Sequence, residues 1–197
     1  MITSFGLVLI SCGLRGLCRH PSNHNQTFNR KLKSMANEDQ FPCFIEGQVV
    51  KGYGRGSREL ACPTANIEKS VVNLVNLSNG VFYGFAQLLP TTKSDSIQTN
   101  SPDSQVFMCC TNVGYCPQYG NSQRSIEAYI FNDFGRDFYD EHLKIALCAK
   151  IRNEMVFKSI DELKIQIHND LETTRIALEV DKQFEDMRNS PFFRLSN

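Results

Sequence analysis

A chain of 197 residues, 41% of them hydrophobic, has the length of one domain with a tail and can bury a core without disulfides or metals. Its 21 basic side chains balance its 21 acidic ones, so no global field points to nucleic acid or to a membrane surface. Residues 1–37 hold Arg15, Arg19, Arg30, Lys31 and Lys33 without an acid, so 16 basic side chains face all 21 acidic ones in the remainder, which argues against binding a phosphate backbone.

Residues 1–37 read as a leader and residues 38–197 as the functional domain. The apolar run from Phe5 to Ile10 is too short to span a bilayer, and no basic residue precedes it as in a secretory signal. The acid-free, arginine- and serine-containing composition fits a mitochondrial presequence; translation starting at Met35 is the simpler alternative. Little order is expected there. The domain itself is expected to be cytoplasmic, or mitochondrial if the leader is a presequence, and monomeric, with no stable membrane insertion.

From Phe41 onward the pattern is short β-type runs: Phe44–Lys51, Val81–Leu89, Val106–Val113, Ser125–Phe131 and Leu143–Ile151. Without helical periods between them, they predict an antiparallel sheet or barrel and exclude a βαβ sheet. The polar stretch from Pro90 to Ser104 reads as a hairpin insertion. One helix follows: Ser159 and Glu162 form a capping box, and Ile160, Leu163, Ile167, Leu171 and Leu178 make one apolar stripe that packs on the barrel. The eight cysteines contain no Cys-x-x-Cys pair and mostly sit in apolar runs, as small reduced hydrophobes do.

Four places offer chemistry, each with a plainer alternative. Gly52-Tyr-Gly-Arg-Gly-Ser57 is neither a Walker loop nor a dinucleotide fingerprint, since no Gly-Lys-Ser/Thr ends it and Pro63 follows before any helix. Such a loop brings backbone amides and Arg55 or Arg58 near phosphate, or it is only a turn. In Pro63-Thr-Ala-Asn66, Thr64 and Asn66 share one face of an extended chain and offer two hard oxygens to Mg2+; the alternative is a polar strand edge. Alternation puts Glu127 on a face with Ser125, Tyr129 and Phe131, where it is a general base or a solvated surface carboxylate. Arg152, before Asn153, Glu154 and Phe157, clamps a phosphate, stacks on a flat ring or makes a surface ion pair.

In this order the motifs resemble the signature of riboflavin kinases. Gly47-Gln-Val-Val-Lys-Gly-Tyr-Gly-Arg-Gly-Ser57 runs on to Leu60 and Pro-Thr-Ala-Asn66, then Gly80-Val-Phe-Tyr-Gly84, Val113-Gly114 with Pro117, and Ser125-Ile-Glu127. Asp137-Phe-Tyr139, Arg152 with Glu154 and Phe157, and Gln166-Ile167 with Asp170 complete the set, which spans roughly residues 41–178. The resemblance implies a six-stranded antiparallel Greek-key β-barrel with a C-terminal helix, phosphorylating riboflavin to FMN with ATP. It further implies nucleotide contacts at Gly52, Arg58, Thr64 and Tyr139, a metal held by Thr64 and Asn66, and Glu127 as catalytic base. Arg152 and Phe157 fall in the flavin segment. The implied metal is Mg2+, with Zn2+ or Mn2+ as alternatives. Too few residues precede Phe41 for the nucleotidyltransferase domain of bifunctional bacterial relatives, so FMN and not FAD is the expected product. The rivals are a non-catalytic flavin- or nucleotide-binding barrel and a purely structural one. Several positions depart from the family pattern: Ala61 and Cys62 before the Pro-Thr-Ala-Asn, Cys116 for asparagine, Asp140 for glycine, Asn153 for proline, and Tyr129 and Asn132 for histidines.

Overall fold

The five β-type runs are five strands of one closed barrel, with a sixth between the first two. The computed structural model describes residues 39–52, 60, 62–89, 105–115, 120, 122–180 and 183–194. The leader, the glycine-rich loop beyond Gly52 with Arg55 and Arg58, Ala61, the 90–104 insertion, Cys116 and Pro117 lie outside these residues.

The strands are β1 (Cys43–Val50), β2 (Ala65–Ile67), β3 (Gly80–Leu89), β4 (Val106–Gly114), β5 (Ser125–Ile130) and β6 (His142–Arg152), and all pairings are antiparallel. They close in the order β1-β2-β5-β4-β3-β6, β6 returning to β1. At three residues β2 is too short to show alternation, which is why periodicity alone yields five strands. Its pairing with Val49 and Val50 on one side and with Glu127 and Ala128 on the other makes it a strand. A four-residue helix, α1 (Lys69–Val72), follows it.

In β1 and β5 every second side chain points inward, as the pleat requires: Ile45 and Val49 in the first, Ile126, Ala128 and Ile130 in the second. They join Phe82, Leu88, Cys109, Val113, Leu143 and Leu147 in the barrel core. β3 and most of β6 are instead buried on both faces. The reason is a second apolar layer outside the barrel, where Phe85, Ala146 and Cys148 meet Leu178 and Phe193 from the C-terminal helices. A strand covered on both sides reads as a continuous apolar run.

The long helix α2 (Ile160–Val180) starts as expected but differs in one bond: Ser159 Oγ accepts from the Glu162 amide at 3.1 Å, while Glu162 Oε2 accepts from the amide of Lys158 and not of Ser159. Its contact face differs more. Leu163 and Leu178 are buried, but between them the buried positions are Asp170 and Thr174, while Ile160, Ile167 and Leu171 stay half-buried. The polar pair is satisfied, because Thr174 Oγ1 donates to the Asp170 carbonyl at 2.8 Å and the Asp170 carboxylate holds Arg152. Beyond α2, a short helix α3 (Gln183–Arg188) leads to a 3-10 turn at Pro191–Phe193. Buried Lys144 fastens that turn, donating to the carbonyls of Phe192 and Arg194.

Cys62, Cys109, Cys110 and Cys148 are buried free thiols. Burial pushes the thiol of Cys62 up to about 11 and those of Cys110 and Cys148 up to about 12, so all three stay protonated at neutral pH and behave as core atoms. Among the described residues no helix is long and apolar enough to cross a membrane.

Candidate active site

Ala65 and Ile67 point into the barrel, so Thr64 and Asn66 point out of it, each half-buried. Asn66 stands opposite Glu127 of β5, and Glu127 stands opposite Asn112 of β4. Such cross-strand neighbours lie roughly 5 Å apart at Cβ. A carboxylate is therefore set between two carboxamides on one open face. Ser125 Oγ donates to Glu127 Oε1 at 2.9 Å and so orients it. Gly52 covers Asn66 closely: a Cβ there would come within 2.3 Å of Asn66 Nδ2 and 2.6 Å of its Cγ. A side chain at this position would push the Asn66 amide aside.

Thr64 also borders a cleft of ≈ 600 Å3, a volume suited to a small ligand, whose walls include Tyr129, Asn132, Asp133, Arg136 and Tyr139. Burial raises the pKa of the Tyr129 phenol, with the nearby Cys62 thiol adding to the shift, so the phenol is a neutral hydrogen-bonding group. Arg136 is paired with Glu141. Tyr139 is 46% exposed and precedes Asp140, whose φ of 68° lies in the left-handed region. Glycine is the usual residue for that conformation, and aspartate is among the few others that adopt it.

The third group lies at the end of β6. Arg152 donates through Nε to Asp170 Oδ1 at 3.0 Å and through its terminal nitrogen to Oδ2 at 2.7 Å. Gln166 Nε2 donates to the same carboxylate at 2.9 Å. The guanidinium lies 5.9 Å from the centroid of Phe157. Its partner is thus a buried aspartate of α2, a bidentate pair stronger than the surface ion pair weighed from sequence. Register carries the row Asn66, Glu127, Asn112 on to Val81 and Arg152. Three strand spacings separate Glu127 from Arg152, roughly 14 Å along the sheet. Glu154, two residues on, accepts the amide of Tyr115 at 2.8 Å.

The structure thus brings Asn66 to Glu127, Thr64 and Tyr139 to one cleft, and Arg152 to Phe157; Arg58 lies outside the described residues. Sequence reasoning gave no part to Asn112 or to the Glu154–Tyr115 contact, because both depend on register and long-range folding. Asp170 did leave a signal: it is a charged residue at the edge of an otherwise apolar stripe, four residues after Gln166.

The family model described as flavokinase, riboflavin kinase, matches residues 39–178. A riboflavin kinase of Pyricularia oryzae is 36% identical over 147 residues, covering 72% of this chain and 74% of its own. The human riboflavin kinase is 32% identical over 157 residues, covering 79% of this chain and 92% of its own. The crystal structure of riboflavin kinase from Trypanosoma brucei superposes with a TM-score of 0.60 at 25% identity, over 81% of this chain and 94% of that one. Barrel, matched segment and relatives agree, and the chain belongs to the riboflavin kinase family.

Proposed function

We propose that this chain transfers the γ-phosphate of ATP to the ribityl 5′-hydroxyl of riboflavin, giving FMN and ADP. The observation that carries the reading is the open face on which Asn66 and Glu127 stand opposite each other, with Thr64 on the same side. A bare binding barrel has no need of all three.

In this reading Glu127 takes the hydroxyl proton while the hydroxyl oxygen bonds to the γ-phosphorus and the bond from that phosphorus to the departing ADP oxygen breaks. The bond from Ser125 Oγ to Glu127 Oε1 orients the carboxylate for that proton transfer. The Thr64 hydroxyl and the Asn66 amide oxygen are hard donors on one side of the chain and fit Mg2+, with Mn2+ or Zn2+ as alternatives; the glycine packed on Asn66 holds that amide in place. When bound, the metal supplies charge neutralisation at the transferring phosphate. Thr64 belongs to both face and cleft, so the cleft, with Tyr139 on its wall, takes the nucleotide together with Gly52 and Arg58. Arg152 and Phe157 offer a planar cation and a flat ring to the isoalloxazine. The kinase domain spans 38–197, supported by the family match and by the single unit that the chain forms from Asp39 onward.

The test is turnover with riboflavin and Mg·ATP, separating the flavin products by chromatography and measuring ADP. FMN and ADP should appear together, one for one. Riboflavin binding without ADP release would leave the non-catalytic barrel as the correct reading.

A further inference from the structure

We infer that Glu154 is a positioning residue for this reaction, a clip that holds the flavin-side segment 153–157 against the strand edge beside Glu127. The inference rests on the reading of Glu127 and Arg152 given above. It is carried by a contact that the catalytic assignment does not use.

Glu154 leaves the barrel two residues after β6 ends, and its side chain turns back to β4. There Oε1 accepts the Tyr115 amide at 2.8 Å. The carboxylate lies directly on Gly114: a Cβ at that glycine would be 2.2 Å from Oε1, 2.3 Å from Cδ and 2.6 Å from Oε2. The residue beneath must have no side chain for the carboxylate to lie there. Gly114 in turn pairs with Ser125, whose hydroxyl orients Glu127. From Glu154 to Glu127 the path therefore runs through one backbone amide, one strand pair and one hydroxyl.

The other end of the segment is fixed as well. Arg152 is held by Asp170, and the Phe157 ring lies against the guanidinium. Held only at its two ends, the segment could still bow away from β4. Pinned also at Glu154, it keeps one distance from the Glu127 face. The ligand spanning the two is then held at both ends, and the flavin ring and the reacting hydroxyl arrive in register with Glu127.

Steady-state kinetics on the full chain test this. Glu154→Ala should lower kcat/KM for riboflavin by about tenfold or more, the weight of a hydrogen bond to a charged acceptor, while KM for Mg·ATP moves less than about twofold. Glu154→Gln keeps an oxygen that accepts the Tyr115 amide and should restore most of the loss. Gly114→Ala should reproduce the riboflavin-specific defect by pushing the carboxylate away. In the double variant the three atoms nearest the methyl are gone, so Gly114→Ala with Glu154→Ala should be no worse than Glu154→Ala alone. Additive losses in that cycle, a Glu154→Ala enzyme within twofold of wild type, or equal losses for both substrates would overturn the inference. Should Glu154→Ala fail to fold by circular dichroism, Gly114→Ala and Glu154→Gln carry the same comparison. Failure of the underlying reading looks different: Glu127→Gln would then keep its activity whatever Glu154 variants do.

Discussion

Glu127 and Gly52 show how much chemistry rests on single atoms. Glu127→Gln keeps the shape and the bond from Ser125 but takes up no proton, so kcat should fall by roughly 10²–10⁴-fold while fluorescence titration shows riboflavin still bound. A loose phosphoryl transition state deprotonates the hydroxyl late, which favours the lower end of that range. Activity within a few-fold of wild type would require a different base. Gly52→Ala acts on the metal at one remove. Its methyl occupies the space of the Asn66 amide, so the Mg2+ concentration for half activity should rise roughly tenfold, as it does when a ligand loses its support. The melting temperature of the ligand-free protein should hardly move. If the melt collapses instead, Asn66 serves the barrel and not a metal. That Thr64 and Asn66 share a face, and Glu127 one with Ser125 and Tyr129, was legible from alternation; that the two sets meet needed the register of β2 with β5. That Gly52 lies on Asn66 was not, because the contact joins a residue just past β1 to one on β2 and leaves no local pattern.

At the scale of elements, α2 was readable from a period near 3.6 and the five longer strands from β-prone runs bounded by turn residues, with a period of two clear in β1 and β5. What the period concealed is the middle of the contact face of α2. An apolar stripe implies hydrophobic docking, yet the contact face holds Asp170, 4% exposed, gripping Arg152. The pair fixes how α2 sits against the end of β6, which greasy contacts alone would leave free to slide. Asp170→Asn removes the charge that balances a largely buried guanidinium and should cost about 3 kcal/mol. For a chain of this size that corresponds to a fall of roughly 6–12 °C in thermal midpoint, read by differential scanning fluorimetry. A shift below 2 °C would show that the apolar contacts at Leu163 and Leu178 suffice. β2 stayed hidden for the opposite reason: its three residues are held by their neighbours and carry no pattern of their own.

For the whole molecule, closure divides the barrel into two halves. On one, β3 and β6 lie beneath the C-terminal helices and the Lys144-fastened turn, buried on both faces. On the other, the outward residues at β2 and β5 are half-buried, and the proposed metal ligands and base are among them. The chemistry is thus mounted on the thinnest part of the ring. β2 is three residues between two ladders, so releasing it breaks few hydrogen bonds, whereas releasing β3 dismantles both cores. Opening should therefore be local and frequent at the site and rare beneath the helices. Amide hydrogen exchange would record this as fast exchange at Asn66 and Ile67 against slow exchange along β3 and β6. Mg·ADP with riboflavin should slow the first set and leave the second unchanged; uniform rates around the ring would show a single cooperative unit instead. On this view the ligands do more than occupy the site: they complete a strand that the chain by itself holds only loosely, so the protein in its working state is tighter than the one that waits for substrate.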